Sequence, residues 1–157
     1  MNPADELRTA ADKIRTLATA ASTDPHGRPT THWSVRYQPG VHPDAPAERD
    51  QPCALIATDG PTEVRLLLGG AIGNRGGSRA AIYPDHGRYA AAMDPTVGLA
   101  LADWLDQAAR YYDAGVQAAA DVFHDDPAGR DAFLTTGPGA PSEHALAVAR
   151  QINGSAP

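Results

Sequence analysis

Asp94-Pro95 sits inside the strongest helical signal of the chain and fixes where a long helix must begin. A proline suits the first position of a helix, because its missing N–H would be unpaired there in any case. Asp94 before it is a good cap, since its carboxylate accepts the free N–H groups of the first turn. Upstream, residues 86–93 read as a short helix. Downstream, Val97, Leu101, Trp104, Leu105 and Ala108 recur at steps of three and four, which is one helix face. Such a stripe is either a core face or a groove for a partner helix. Gly98 weakens the helix unless another backbone packs closely against it.

At 157 residues the chain is expected to form one domain, 1–157, able to bury roughly two-thirds of its unfolded surface. Apolar residues make up 42%, but many are alanine and only 6% of the chain is aromatic, so the expected core is thin. Fifteen glycines and fourteen prolines imply long connections. No apolar run approaches the ~18 residues that span a bilayer, and no charged-then-apolar start marks a signal peptide, so the expected location is the cytoplasm. The net charge of −6 argues against general affinity for nucleic acid. Twelve arginines against one lysine, with abundant Ala and Pro, point to a GC-rich genome. Cys53 is the only cysteine, which leaves no intrachain disulfide, and its place in Cys53-Ala-Leu-Ile-Ala57 suits a small core residue.

The remaining pattern predicts an N-terminal helix over residues 3–21, with Leu7, Ala10, Ile14, Leu17 and Ala21 on one stripe, followed by a loop to about residue 31. Residues 32–37 alternate, with Trp33, Val35 and Tyr37 on one face of a strand. Residues 38–52, with four prolines, read as a loop. Residues 53–58 fit a buried strand, and Asp59-Gly60-Pro61 turns it into a second strand over 63–68. Residues 80–83 are a candidate fourth strand. The long helix is expected from Pro95 to about Phe123, with a break near Gly115. Residues 125–129 read as a turn, 130–134 as a helical turn and 137–141 as a breaker. Ser142-Glu143 opens a last helix that Asn153-Gly154 stops. The fold class is α+β: an N-terminal helix and loop (1–24), a small antiparallel sheet of three to four strands (32–83) and a helical part (86–153).

Chemistry is sparse. The run from Gly69 to Arg79 holds Gly73, Arg75, Gly76, Gly77, Ser78 and Arg79, in which backbone N–H groups and two guanidinium groups could converge on an anion. It matches neither established phosphate-loop pattern, and a flexible link between strands explains it as well. The six histidines form no H-x₃-H or H-E-x-x-H pattern, so neither a metal nor a cofactor is expected. His124-Asp-Asp-Pro127 reads as a helix end and turn. Asp59 and Glu63 could pair across the hairpin, though such acids are usually solvated. Ser78 is a poor nucleophile candidate, because no tight turn of the G-x-S-x-G kind presents it. Trp33 and Tyr37 suit core packing better than base stacking.

Three segments carry a resemblance: residues 3–15 (PADELRTAADKIR), residues 89–106 (YAAAMDPTVGLALADWLD) and residues 144–154 (HALAVARQING). In these the chain resembles a family of small, functionally uncharacterised proteins of actinobacteria and their phages. The middle segment is similar to the end of phage Ead/Ea22-like proteins. The resemblance implies accessory cargo of a mobile element, with no catalytic residues to carry over. Any specific function would then reside between about residues 25 and 85. Together with the acidic balance and the narrow helix stripes, it gives the expectation of a non-enzymatic protein that binds a host or phage protein. The alternative is a binding protein or enzyme for a nucleotide or phosphorylated small molecule, centred on residues 69–79. A homo-oligomer is compatible with either.

Overall fold

The computed structural model describes residues 2–37, 53–61, 63–66 and 82–154. They form α1 (Pro3–Ala21), β1 (Trp33–Tyr37), β2 (Cys53–Ala57), β3 (Val64–Arg65), α2 (Pro84–Ala92), α3 (Pro95–Val122), α4 (Pro127–Thr135) and α5 (Glu143–Asn153). The class is α+β, with an antiparallel sheet in the order β1-β2-β3. The 38–52 loop and the Gly-rich 69–79 run lie outside the described residues. The chain divides into two compact units, Met1–Thr16 with Leu99–Pro157, and Leu17–Gly98.

The first unit is a helical bundle with an alanine-rich core. Ala4, Leu7 and Ala11 of α1 pack with Ala102, Leu105 and Ala109 of α3 and with Ala145, Leu146 and Ala149 of α5. Steps of three and four alternate small and large residues, so the backbones approach closely while leucines fill the gaps. Charges outside this core set the register of α1 on α3. Arg8 pairs with Asp113, and Arg15 pairs with Asp106 at 2.6 Å and Asp103 at 3.2 Å. Seven residues forward along α1 match seven residues back along α3, so the two run antiparallel. α5 is tied to α1 by Arg150 Nε donating to Glu6 Oε1 at 3.0 Å and Asn153 Nδ2 donating to the Glu6 carbonyl at 3.1 Å. Ser142 caps α5 by accepting from the Ala145 N–H, and Gly154 ends it in the left-handed region at φ 72°, as the sequence predicts.

Four expectations change here. The core stripe of α3 is centred on Ala102, Leu105 and Ala109, while Val97 and Trp104 are 40% and 41% exposed. Leu17, assigned to the α1 stripe, is also exposed. Gly115 does not interrupt α3, which is continuous to Val122. Instead, a Cβ at Gly115 would lie 3.2 Å from the Cα and carbonyl oxygen of Gly139, so the missing side chain admits a neighbouring backbone. Residues 127–135 form a full helix rather than a turn. The device is the one at Asp94-Pro95: Asp126 accepts from the Gly129 N–H at 2.9 Å, as Asp94 accepts from the Val97 N–H at 3.0 Å.

In the second unit all five residues of β2 are buried, as befits a central strand. The register pairs Trp33 with Ala57 and Val35 with Leu55, and the hairpin pairs Ala57 with Val64. Residues directly opposite share a face, so Trp33, Val35, Cys53, Leu55, Ala57 and Val64 line one side of the sheet. α2 packs on one end of that side. A Cβ at Gly87 would sit 2.7 Å from Val35 Cγ1 and 3.1 Å from Cys53 Sγ, so the helix touches the sheet through its own backbone. Of the candidate fourth strand, residues 80 and 81 lie outside the described residues, and Ile82 bridges to Cys53 with both backbone hydrogen bonds exchanged, at 3.0 and 3.1 Å. Pro84 then starts α2 and removes the N–H that a longer strand would need.

Candidate functional site

A groove on the first unit lies between the outer face of α3 and residues 138–142. Because Leu105 and Ala109 turn inward, Trp104, Gln107 and Tyr111 fall on the opposite side of the helix. Tyr111 is 69% exposed, and its hydroxyl accepts from Gln107 Nε2 at 3.0 Å, which holds the two side chains together. The far wall is built by glycine. The N–H of Gly137 donates to the Ala132 carbonyl at 2.9 Å and that of Gly139 to the Phe133 carbonyl at 3.2 Å, folding the chain back over the end of α4. Gly139 then meets Gly115 backbone to backbone. The groove encloses about 290 Å³ and is lined by Trp104, Tyr111, Tyr112 and the Pro138–Pro141 turn, with no carboxylate, imidazole or ammonium group. Its chemistry is that of binding: flat aromatic surface with hydroxyl and amide partners.

The second unit holds the one strongly shifted carboxylate among the described residues. Asp59 accepts from the His32 N–H at 2.9 Å, the Thr31 hydroxyl at 2.6 Å and, through Oδ1, the His32 ring Nδ1 at 2.5 Å. Burial alone would raise its pKa; these hydrogen bonds outweigh burial and hold it well below the usual carboxylate range. The same contact raises the pKa of His32, with Asp94 adding a smaller attraction. An aspartate that orients an imidazole is half of a hydrolytic triad. Here Asp59 binds the backbone N–H of His32 itself, and the one hydroxyl bonded to the pair among the described residues, that of Thr31, donates to the carboxylate. The geometry is that of a clasp between the β1 entry and the hairpin turn.

The residues singled out in the sequence are dispersed. Gly73, Arg75, Gly76, Gly77, Ser78 and Arg79 lie outside the described residues. Asp59 and Glu63 do not pair with each other: Glu63 binds Arg36, and Asp59 binds His32. Cys53 is buried, its Sγ donates to the Ile82 carbonyl at 3.3 Å, and burial pushes its thiol pKa up, against the requirements of a nucleophile. His124 pairs with Asp125 at a solvent-exposed helix end. Among the described residues no three His, Cys, Asp or Glu side chains converge as metal ligands. No described helix is long and apolar enough to cross a membrane. The groove itself went unread, since its far wall depends on contacts between distant glycines. Trp104 was the available signal, a large aromatic at the border of a stripe whose centre is alanine.

Comparison with known protein families, with curated proteins and with solved structures finds no match to this chain.

Proposed function

We propose that the chain is a non-enzymatic accessory protein of a phage or other mobile element, acting in the cytoplasm by binding a protein partner through the α3 groove. The observation that carries this reading is the exposure of Trp104 and Tyr111 side by side on a helix whose inward face is already filled by Ala102, Leu105 and Ala109. Large aromatic side chains with a polar tip supply most of the energy at protein interfaces. Nothing in the core requires them to face outward. A groove of aromatic, hydroxyl and glycine-backbone groups accepts an apolar side chain of a partner and offers hydrogen bonds at its rim.

The test is native mass spectrometry of the tagged protein, gently purified from an actinobacterial cytosol, beside the double variant Trp104→Ser/Tyr111→Ser. The expected result is a stoichiometric added mass of protein size that is lost in the variant while its thermal midpoint stays within a few degrees. Retention of the partner by the folded variant, or a bare protein from both purifications, overturns the reading.

A further inference from the structure

The apolar side of the sheet in the second unit is only partly covered. α2 occupies the Val35–Cys53 end. Over the other end the loop of residues 23–30 encloses a cavity of about 520 Å³, within the range of small-molecule sites. Its floor is Trp33, Leu55, Val64 and Leu66. The register sets this floor on one face, with Trp33 opposite Ala57, Ala57 opposite Val64 and Val35 opposite Leu55. Arg65 stands opposite Ile56 and carries its side chain to the other face. Leu55 and Val64 are only 5% and 6% exposed, so the floor is deep.

The polar groups around this floor bind one another. Trp33 Nε1 donates to the Thr30 carbonyl at 2.7 Å, and the Thr30 hydroxyl donates to the Ala21 carbonyl at 2.6 Å. Arg28 is neutralised by Asp24, with Nε donating to Oδ2 at 2.7 Å and a second guanidinium nitrogen at 2.6 Å. Asp24 also accepts from the backbone N–H groups of His26 and Arg28, at 2.9 and 2.8 Å. The Asp24 N–H donates to the Arg28 carbonyl at 2.9 Å and the Thr30 N–H to the Ser22 carbonyl at 2.8 Å, so the rim is preorganised by its own backbone. The anion and the cation of the wall cancel. His26 and Thr23 are exposed, which leaves their polar atoms hydrated at the mouth.

We propose that this cavity binds an uncharged, largely apolar ring compound, with its rings against Trp33, Leu55 and Val64. The indole face and the aliphatic side chains supply the contact area. A charged ligand would lose its water to a floor whose nearby donors and acceptors already hold partners, which costs more than apolar contact gains. The site belongs wholly to the second unit and does not depend on the function of the α3 groove.

The probe is neutral N-phenyl-1-naphthylamine, whose emission rises in an apolar site. It is titrated into the full chain beside 8-anilino-1-naphthalenesulfonate, the same skeleton carrying a negative charge. Saturable binding of one neutral probe per chain is expected, with the sulfonate weaker by a factor of about ten or more. Val64→Phe places a ring in the cavity from its floor and should weaken the neutral probe by a similar factor of about ten. In the parent chain, nuclear Overhauser contacts from the probe rings should reach the Leu55 and Val64 methyl groups, a readout that stands whether or not the variant folds. Absence of saturable binding overturns the proposal, as does a sulfonate that binds equally or more tightly. Contacts to Trp104 and Tyr111 in place of Leu55 and Val64, or undiminished binding by folded Val64→Phe, also overturn it.

Discussion

Gly87 shows how one residue decides a packing distance. In an exposed helix, glycine costs about 1 kcal/mol relative to alanine, so replacing it normally stabilises. Here the added Cβ would meet Val35 Cγ1 at 2.7 Å, Ile82 Cγ2 at 3.0 Å and Cys53 Sγ at 3.1 Å. All three neighbours are short or branched side chains on the sheet, so none can swing aside cheaply. Overpacking of this kind costs about 1–3 kcal/mol, which exceeds the propensity gain. Gly87→Ala is therefore expected to lower the urea midpoint of the second unit by the equivalent of about 1 kcal/mol. A raised midpoint would mean that α2 does not rest on the sheet through Gly87. The sequence gives no warning of this, because the reason for the glycine lies 52 residues earlier at Val35.

At the scale of elements, α3 carries two faces that the sequence did not separate. Its stripe reads as Val97, Leu101, Trp104, Leu105 and Ala108 when apolar residues are weighed by size. Packing weighs them by how closely the backbones can approach, and the apolar positions with no exposure are Ala102, Leu105, Ala109 and Ala119. Leu105→Ala is expected to cost about 2–5 kcal/mol, since the bundle must leave a cavity where a fully buried leucine stood. Trp104→Ser is expected to cost about 1 kcal/mol or less. Paired urea titrations give the comparison, and equal losses would return Trp104 to the core. Local devices were legible throughout: the Asp94-Pro95 start, the Ser142 cap, the Gly154 stop, the buried run of β2 and the Asp59-Gly60-Pro61 turn each depend on neighbours within a few residues. The helix at Asp126-Pro127 was equally legible in kind and was missed because it is only nine residues long, Pro127–Thr135. The α3 groove and the Trp33 cavity were not legible, because both are closed by loops whose positions depend on residues far away in the chain.

At the scale of the molecule, each compact unit contains one tryptophan, Trp104 in the first and Trp33 in the second. Their two indole N–H resonances therefore report the units separately in one sample. The Asp59–His32 clasp lies wholly in the second unit. The imidazole is raised above its unfolded value of about 6.5, so its contribution is fully present below that pH and is lost as pH rises through the folded value. The carboxyl is depressed, so its contribution is present above about pH 4 and is lost only as pH falls through a value well below the carboxylate range. Between these limits the clasp is complete, and it loses the charge on His32 as pH rises through the raised folded value. His32 is largely exposed, so water screens the pair and the effect is a modest shift rather than a collapse. The urea midpoint read at Trp33 is expected to fall between pH 5.5 and pH 8, with a smaller change or none at Trp104. In Asp59→Asn most of the pH dependence at Trp33 should disappear, because only the smaller attraction of Asp94 then acts on the imidazole proton. A midpoint at Trp33 that does not move, or one that moves equally in Asp59→Asn, would show that the clasp does not hold the second unit together. Equal shifts at both indoles in the parent that largely vanish in Asp59→Asn would show that the clasp acts and that the two units unfold as one.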